Sequence, residues 1–258
     1  MSIYSVVKFS TELTKQKGEL MRKGIFLVIF GMLISSSIYG MSITDIVQGM
    51  NIRYDRLIKK SGGIKITQEV KNITDGVSVL STQTIFKKGH LYKIETISQM
   101  DLDKEKTRNV VLFDGKNIWL ISPFVGITMM PKDEAMIQGI FDSFSKLIPQ
   151  DSKIVGEEKL SGDDCYIIKI PSNAKLPFSK IWVSKTRFIP LKAIGQYNNK
   201  SIILIFKDYK KINGEWGIPY KTEIMLDGKL ISTTLVKKVE TNIDIPNNIF
   251  DINSEKIK

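Results

Sequence analysis

Residues 188–241 read FIPLKAIGQYNNKSIILIFKDYKKINGEWGIPYKTEIMLDGKLISTTLVKKVET. Asn198-Asn199, Asn213-Gly214 and Asp227-Gly228 each separate two runs rich in β-branched and apolar residues. Such pairs tolerate the positive φ that a tight hairpin turn demands. The spacing therefore predicts four consecutive antiparallel strands, at 188–197, 201–209, 216–226 and 229–241.

The same grammar extends outward. Asp114-Gly115 links a run at 109–113 to one at 117–122, Ser161-Gly162-Asp163 links 152–160 to 165–171, and 180–184 leads into the quoted segment. Period-two patterning from Gly63 onward predicts strands near 63–71, 77–87 and 91–97. Two windows have helical spacing instead. From Ser42 to Lys59 the apolar positions are Ile43, Ile46, Val47, Met50, Tyr54, Leu57 and Ile58; from Asp133 to Leu147 they are Met136, Ile137, Ile140, Phe141, Phe144 and Leu147. No strand-helix-strand alternation occurs, which excludes a parallel doubly wound sheet and its phosphate-binding turn. The expected class is α+β: a strongly curved antiparallel sheet of about eleven strands, an incomplete β-barrel, with helices on its concave face.

Val110-Val111-Leu112-Phe113 and Ile202-Ile203-Leu204-Ile205-Phe206 are apolar at every position, where a one-sided sheet would alternate. Either both faces are covered, or the inner face is apolar beyond what two helices cover and leaves a cavity.

Composition removes several classes. One cysteine, Cys165, and one histidine, His90, can form neither an internal disulfide nor a tetrahedral zinc site. Cys165 is expected to be a small buried hydrophobe and His90 a surface turn residue. The net charge of +11 is carried by 33 Lys and 5 Arg scattered over turns and strand faces. A nucleic-acid-binding stripe is not visible in that scatter. Asp101-x-Asp103-x-Glu105 opens like a calcium loop, but Lys106 and Leu112 stand where Gly and a bidentate Glu are needed. The pairs Glu157/Glu158 and Asp163/Asp164 flank a hairpin turn and suggest no acid–base work. Nucleophile elbow, P-loop, dinucleotide fingerprint and zincin helix are absent from the sequence. The expected protein is not an enzyme and needs no cofactor or metal.

At the N-terminus, Met21-Arg22-Lys23 is a positive leader to the apolar run Gly24–Ile34, followed by the small-residue segment Ser35–Gly40. This is the pattern of a cleavable secretory signal. Even extended to Ile38, the apolar run spans about 22 Å as a helix against roughly 30 Å of hydrocarbon. The expected organisation is an extension over 1–20, outside the translated or ordered protein; a signal peptide over 21–40; and one lipid-binding domain over 41–258, free in the periplasm.

Several segments carry a family likeness in order. After the opening amphipathic helix come Phe113-Asp114-Gly115-Lys116-Asn117-Ile118-Trp119, Ser122-Pro123 and Met129-Met130-Pro131. Ile181-Trp182-Val183 with Pro190-Leu191, Tyr209 to Asn213-Gly214 with Ile218-Pro219, and Ile245-Pro246-Asn247-Asn248-Ile249-Phe250 follow. From Ser42 to Asn253 the chain resembles the LolA/LolB-like superfamily of periplasmic lipoprotein carriers, in particular its outer-membrane lipoprotein-sorting branch.

The resemblance implies a role as carrier of the acyl chains of lipoproteins or lipids to the outer membrane, as a monomer, with an inner-membrane transporter and an outer-membrane receptor as possible further partners. Strand register combined with the helical stripe then gives the expected cavity lining: Tyr92, Ile94, Leu112, Trp119, Ile121, Met129, Met136, Ile140, Phe144, Ile168, Trp182 and Phe206. Methionine suits a site that admits variable tails. The family's early-strand arginine, which latches the helical lid, has no counterpart between Arg56 and Arg108, so a latch here would use Lys or Asn. The alternative is a sensor module of the same fold that binds a protein partner such as an anti-sigma factor.

Overall fold

Residues 40–74, 76–99, 106–130, 144–174 and 176–255 are described by the structure, a computed structural model. One α-helix, α1 (Ile43–Ser61), precedes thirteen strands among these residues. They are β1 (Gly63–Thr74), β2 (Val77–Lys88), β3 (Leu91–Gln99), β4 (Thr107–Phe113), β5 (Ile118–Ser122), β6 (Gly126–Met130) and β7 (Lys153–Leu160), followed by β8 (Asp163–Lys169), β9 (Phe178–Ser184), β10 (Pro190–Tyr197), β11 (Lys200–Ile212), β12 (Glu215–Leu226) and β13 (Lys229–Thr241). All pair antiparallel in one open sheet, in the order β6-β5-β4-β3-β2-β1-β13-β12-β11-β10-β9-β8-β7. Two meanders, β1–β6 and β7–β13, are thus joined where β1 pairs with β13. The sheet does not close on itself, which is consistent with an incomplete barrel.

The turn chemistry explains the hairpins. Asn213 and Gly214 have φ of 51° and 84°, and Asp227 and Gly228 of 47° and 74°. Positive φ at both central residues is the signature of the turn whose twist matches that of paired strands. Helix α1 places Asp45 in its first turn and Lys59 and Lys60 in its last, each favourable to the helix dipole. It ends at Gly62, with φ of +54°, a left-handed conformation that glycine adopts without a Cβ penalty. The Ser61 carbonyl accepts the Asn242 N–H at 2.7 Å, and Asn213 Nδ2 donates to the Lys60 carbonyl at 3.2 Å.

One expectation changes, one window falls largely outside the described residues, and one open alternative is decided. The strand count is thirteen rather than about eleven, and the strand missing from the sequence reading is β6. This five-residue edge strand is held by backbone pairing to β5, with four of its five residues exposed, so no alternation of burial marked it. The second predicted helix, 133–147, lies outside the described residues except for Phe144–Leu147, which form a 3-10 turn. The all-apolar run at 110–113 is covered on both faces. Val111 and Phe113 pack with the cluster under α1. Val110 and Leu112, on the other face, are fully buried where the C-terminal 3-10 turns Asn247–Phe250 and Ile252–Glu255 close over β3 and β4. Residues 101–105 and, apart from Gly40, the expected signal segment lie outside the described residues.

Candidate functional site

Strand pairing sorts the side chains of the sheet into two faces, because partners in an antiparallel ladder point the same way. The face under α1 carries Ile64, Ile66, Ile85, Tyr92 and Ile94, with Ile58 of the helix packed against them. Farther along the same strands this face turns polar. Gln68 Nε2 donates to Gln83 Oε1 at 2.7 Å, Gln83 Nε2 to Thr96 Oγ1 at 3.2 Å, and Ser232 Oγ to Asn72 Oδ1 at 2.8 Å. In the β7–β13 half, a row of facing partners runs Ile154, Ile168, Ile181, Ala193, Leu204, Ile224 across six strands. At the strand spacing of a sheet this apolar row is about 24 Å long. Phe144 lies over it, edge-on to Phe206 at 5.3 Å between ring centroids.

Helix α1 buries Ile46, Met50 and Leu57 against the sheet. Gly49 lets the backbone approach closely, since a Cβ there would stand 2.6 Å from the Phe188 ring. Arg53 occupies the same stripe, in the series 46, 50, 53, 57. Its Nε donates to the Phe188 carbonyl at 3.2 Å, and Nη1 to the carbonyls of Trp216 at 2.6 Å and Gly217 at 3.3 Å. Lys60 adds an ion pair to Glu215. Polar ties between helix and sheet thus include Lys60, Asn213 and an arginine placed on the helix itself.

Beside Arg53 lies a pocket of about 50 Å³. Its walls are Arg53, Tyr54 and Leu57 of α1, Phe144, Pro190 of β10, Phe206 and Tyr209 of β11, and Gly217, Ile218 and Pro219 of β12. Burial draws the Arg53 guanidinium below its ordinary pKa, against the opposing influence of Tyr209, Tyr54 and Glu215. Burial pushes the Tyr209 hydroxyl up, so it stays neutral and donates to the Pro190 carbonyl at 2.7 Å. The space holds a few water-sized groups and not an entire acyl chain.

The expected cavity lining is divided by the register. Tyr92, Ile94, Ile168 and Phe206 lie buried on the helix face, with Phe144 above it. Leu112, Trp119, Ile121, Met129 and Trp182 belong to the opposite face, and Met129 is 59% exposed. Leu112 is buried under the C-terminal turns, while Trp182 packs with Cys165, Ile189 and Leu191 in a separate cluster. A one-residue step in phase moves a strand residue to the other face. Runs apolar at every position gave no phase to read. Met136 and Ile140 lie outside the described residues. The pocket residues absent from the expected lining are Arg53, Tyr54, Leu57, Pro190, Tyr209, Gly217, Ile218 and Pro219. Arg53 was findable, as a charge inside the apolar stripe of an amphipathic helix.

Other singled-out groups serve packing. Cys165 is buried, and burial raises its thiol pKa. His90 sits in an exposed turn against the edge of Phe113. Asp163 pairs with Arg187, and Glu158 accepts the Trp182 indole N–H at 2.6 Å. Among the described residues no cluster of His, Cys, Asp and Glu could hold a metal ion, and no helix is long and apolar enough to cross a membrane.

A family model described as an uncharacterized protein matches residues 145–254. No curated protein matches the chain. Two solved structures share the architecture. A DUF1329 family protein from Desulfovibrio piger is 15% identical, with a TM-score of 0.58 over 83% of this chain and 99% of its own. A domain assigned to outer membrane lipoprotein sorting, from Vibrio parahaemolyticus, is 16% identical, with a TM-score of 0.61 over 82% of this chain and 97% of its own. At these identities the likeness defines a fold class: an open antiparallel sheet carrying a helix on one face. That fold is LolA-like.

Proposed function

We propose that the protein is an envelope carrier that takes the acyl chains of lipoproteins or lipids between α1 and the sheet and delivers them to the outer membrane. It is a binding protein and not an enzyme, exported by the signal at residues 21–40, with residues 41–258 as one carrier domain. The observation that carries this reading is the apolar row of about 24 Å on the helix face, roughly one and a half times the 15 Å half-thickness of a bilayer core that an acyl chain spans. The V. parahaemolyticus domain of the same fold is itself assigned to lipoprotein sorting.

The small pocket requires the cover to move. Helix α1 holds the sheet through three buried apolar side chains, Ile46, Met50 and Leu57, worth about 5–9 kcal/mol together. Burying a 16-carbon chain is worth roughly 12 kcal/mol. A bound chain therefore compensates for a displaced helix, and the margin is small enough for release. The test is intact mass measurement of the protein purified from the envelope, with binding of a fluorescent fatty-acyl probe. Co-purified lipid or lipoprotein and micromolar probe binding are expected. Delipidated protein that ignores the probe sinks the proposal. A second reading, a sensor module with a protein partner, draws on the exposed β5–β6 turn, where Phe124 is 80% exposed. It expects a bare chain with a stably bound protein.

A further inference from the structure

The pocket beside α1 pairs apolar walls with one cation that makes no ion pair among the described residues. Three hydrogen bonds to carbonyls hold Nε and Nη1 of Arg53, while Nη2, with two N–H groups, has no partner among the described residues. No carboxylate lies within ion-pair distance of Arg53 among the described residues; Glu215 is engaged by Lys60 and Asp163 by Arg187. Tyr209, between Arg53 and Arg187, is neutral and supplies no counter-charge. Backbone carbonyls orient the guanidinium without neutralising it. The two N–H groups of Nη2 remain to donate charge-assisted hydrogen bonds to an anion. Leu57, Phe144, Phe206 and Ile218 form the apolar walls beside it.

We propose, building on the carrier reading above, that this pocket selects amphiphiles by an anionic head, a carboxylate or phosphate, seated on Arg53 with the adjoining methylenes against Phe144, Phe206 and Ile218. The rest of the tail follows the apolar row once α1 lifts. A carboxylate would come from a free fatty acid and a phosphate from a phospholipid; the recognition chemistry is the same.

The experiment ranks four ligands of one tail length, hexadecanoate, hexadecyl phosphate, hexadecanol and hexadecylamine, by displacement of a fluorescent acyl probe from the protein expressed as its full chain. The anions are expected to bind about tenfold to a hundredfold tighter than the alcohol, with the amine weakest. A preference for the phosphate points to phospholipid, and one for the carboxylate to fatty acid. Equal binding of acid, alcohol and amine overturns the headgroup assignment and leaves the carrier intact. Binding of none overturns both. In Arg53→Gln the acid-to-alcohol ratio is expected to fall to within about twofold of one, whereas Arg53→Lys keeps part of it. An unchanged ratio in Arg53→Gln refutes the assignment to this residue. The wild-type ranking needs no variant to fold.

Discussion

Replacing Leu57 by alanine separates a helix that lifts from one that stays. Leu57 is 4% exposed, and it both anchors α1 and forms a wall of the pocket. Loss of its buried methylenes and the space left behind are expected to cost about 3 kcal/mol, within the roughly 2–5 seen for such truncations. For a chain of this size that lowers the melting temperature by about 6–12 °C. If an acyl chain enters by displacing α1, the helix contacts oppose binding, and weakening them raises the binding-competent fraction. The same 3 kcal/mol then appears as tighter binding, up to about a hundredfold. The assay is probe affinity by fluorescence titration beside thermal melting of the ligand-free protein. Leu112→Ala is the control: the same chemistry, equally buried, on the opposite face. It is expected to match the loss of stability and leave affinity unchanged. If Leu57→Ala weakens probe binding, the helix is a fixed wall of the cradle and the displacement argument is wrong.

Glu255, with 1% of its side chain exposed, bonds to Lys93 at 2.6 Å and to Arg108 at 2.9 Å, and Glu95 bridges the same two cations. Glu255→Gln is expected to cost about 2–4 kcal/mol in urea unfolding. Burial alone would raise the pKa of both carboxylates, but hydrogen bonds from Lys93 and Arg108 hold them below the ordinary 4.5. Their contribution is therefore complete above about pH 4.5 and disappears as pH falls through the lowered folded values; the wild type should lose more stability on acidification than Glu255→Gln, and equal losses would exclude the clamp. Gly49→Ala places a Cβ 2.6 Å from the Phe188 ring. Overpacking costs about 1–3 kcal/mol and the better helix propensity of alanine returns about 1, so a modest drop in melting temperature is expected, and a rise would mean that Phe188 yields freely. Phe124→Ser removes a side chain that is 80% exposed and should alter stability by no more than about 0.5 kcal/mol, as chemical denaturation would report.

The turns were legible because their chemistry is local. Asn-Asn, Asn-Gly and Asp-Gly set the hairpins by φ alone, and the positive φ values at 198–199, 213–214 and 227–228 follow from those residue types. Helix α1 was equally plain, since Ile46, Met50 and Leu57 recur at its period. The face on which each strand residue lies was harder. In Val110-Val111-Leu112-Phe113 both alternating sets are apolar, and the decision between them belongs to the C-terminal segment more than a hundred residues away, whose Glu255 reaches Lys93 and Arg108. Trp182 misled for the same reason, because Ile181 and Val183 beside it are buried as well. Arg53 shows the reverse case, a local signal whose meaning needed tertiary partners. Its position in the stripe was visible, but the carbonyls of Phe188, Trp216 and Gly217 that receive it come from the β9–β10 connection and the start of β12, far along the chain.

The unequal attachment of the two covers gives the sheet a direction of opening. On the outer face, the C-terminal segment is fixed by Phe250 and by a four-membered network of Lys93, Glu95, Arg108 and Glu255. Lifting it would strand buried charges, and breaking such pairs costs about 3–5 kcal/mol in addition to the lost apolar contact. On the other face, α1 holds through three buried apolar side chains, through Arg53, whose hydrogen bonds go to neutral carbonyls, and through a single ion pair, Lys60–Glu215, with a half-exposed lysine. Displacing α1 breaks one partly exposed ion pair, Lys60–Glu215, which solvent screening makes weak, and among the described residues it strands no fully buried carboxylate. Of the two covers, α1 is the one whose removal an entering acyl chain can offset. The apolar row and Arg53 lie on that same face, so on the proposed reading the cover that lifts, the apolar track and the guanidinium stand together.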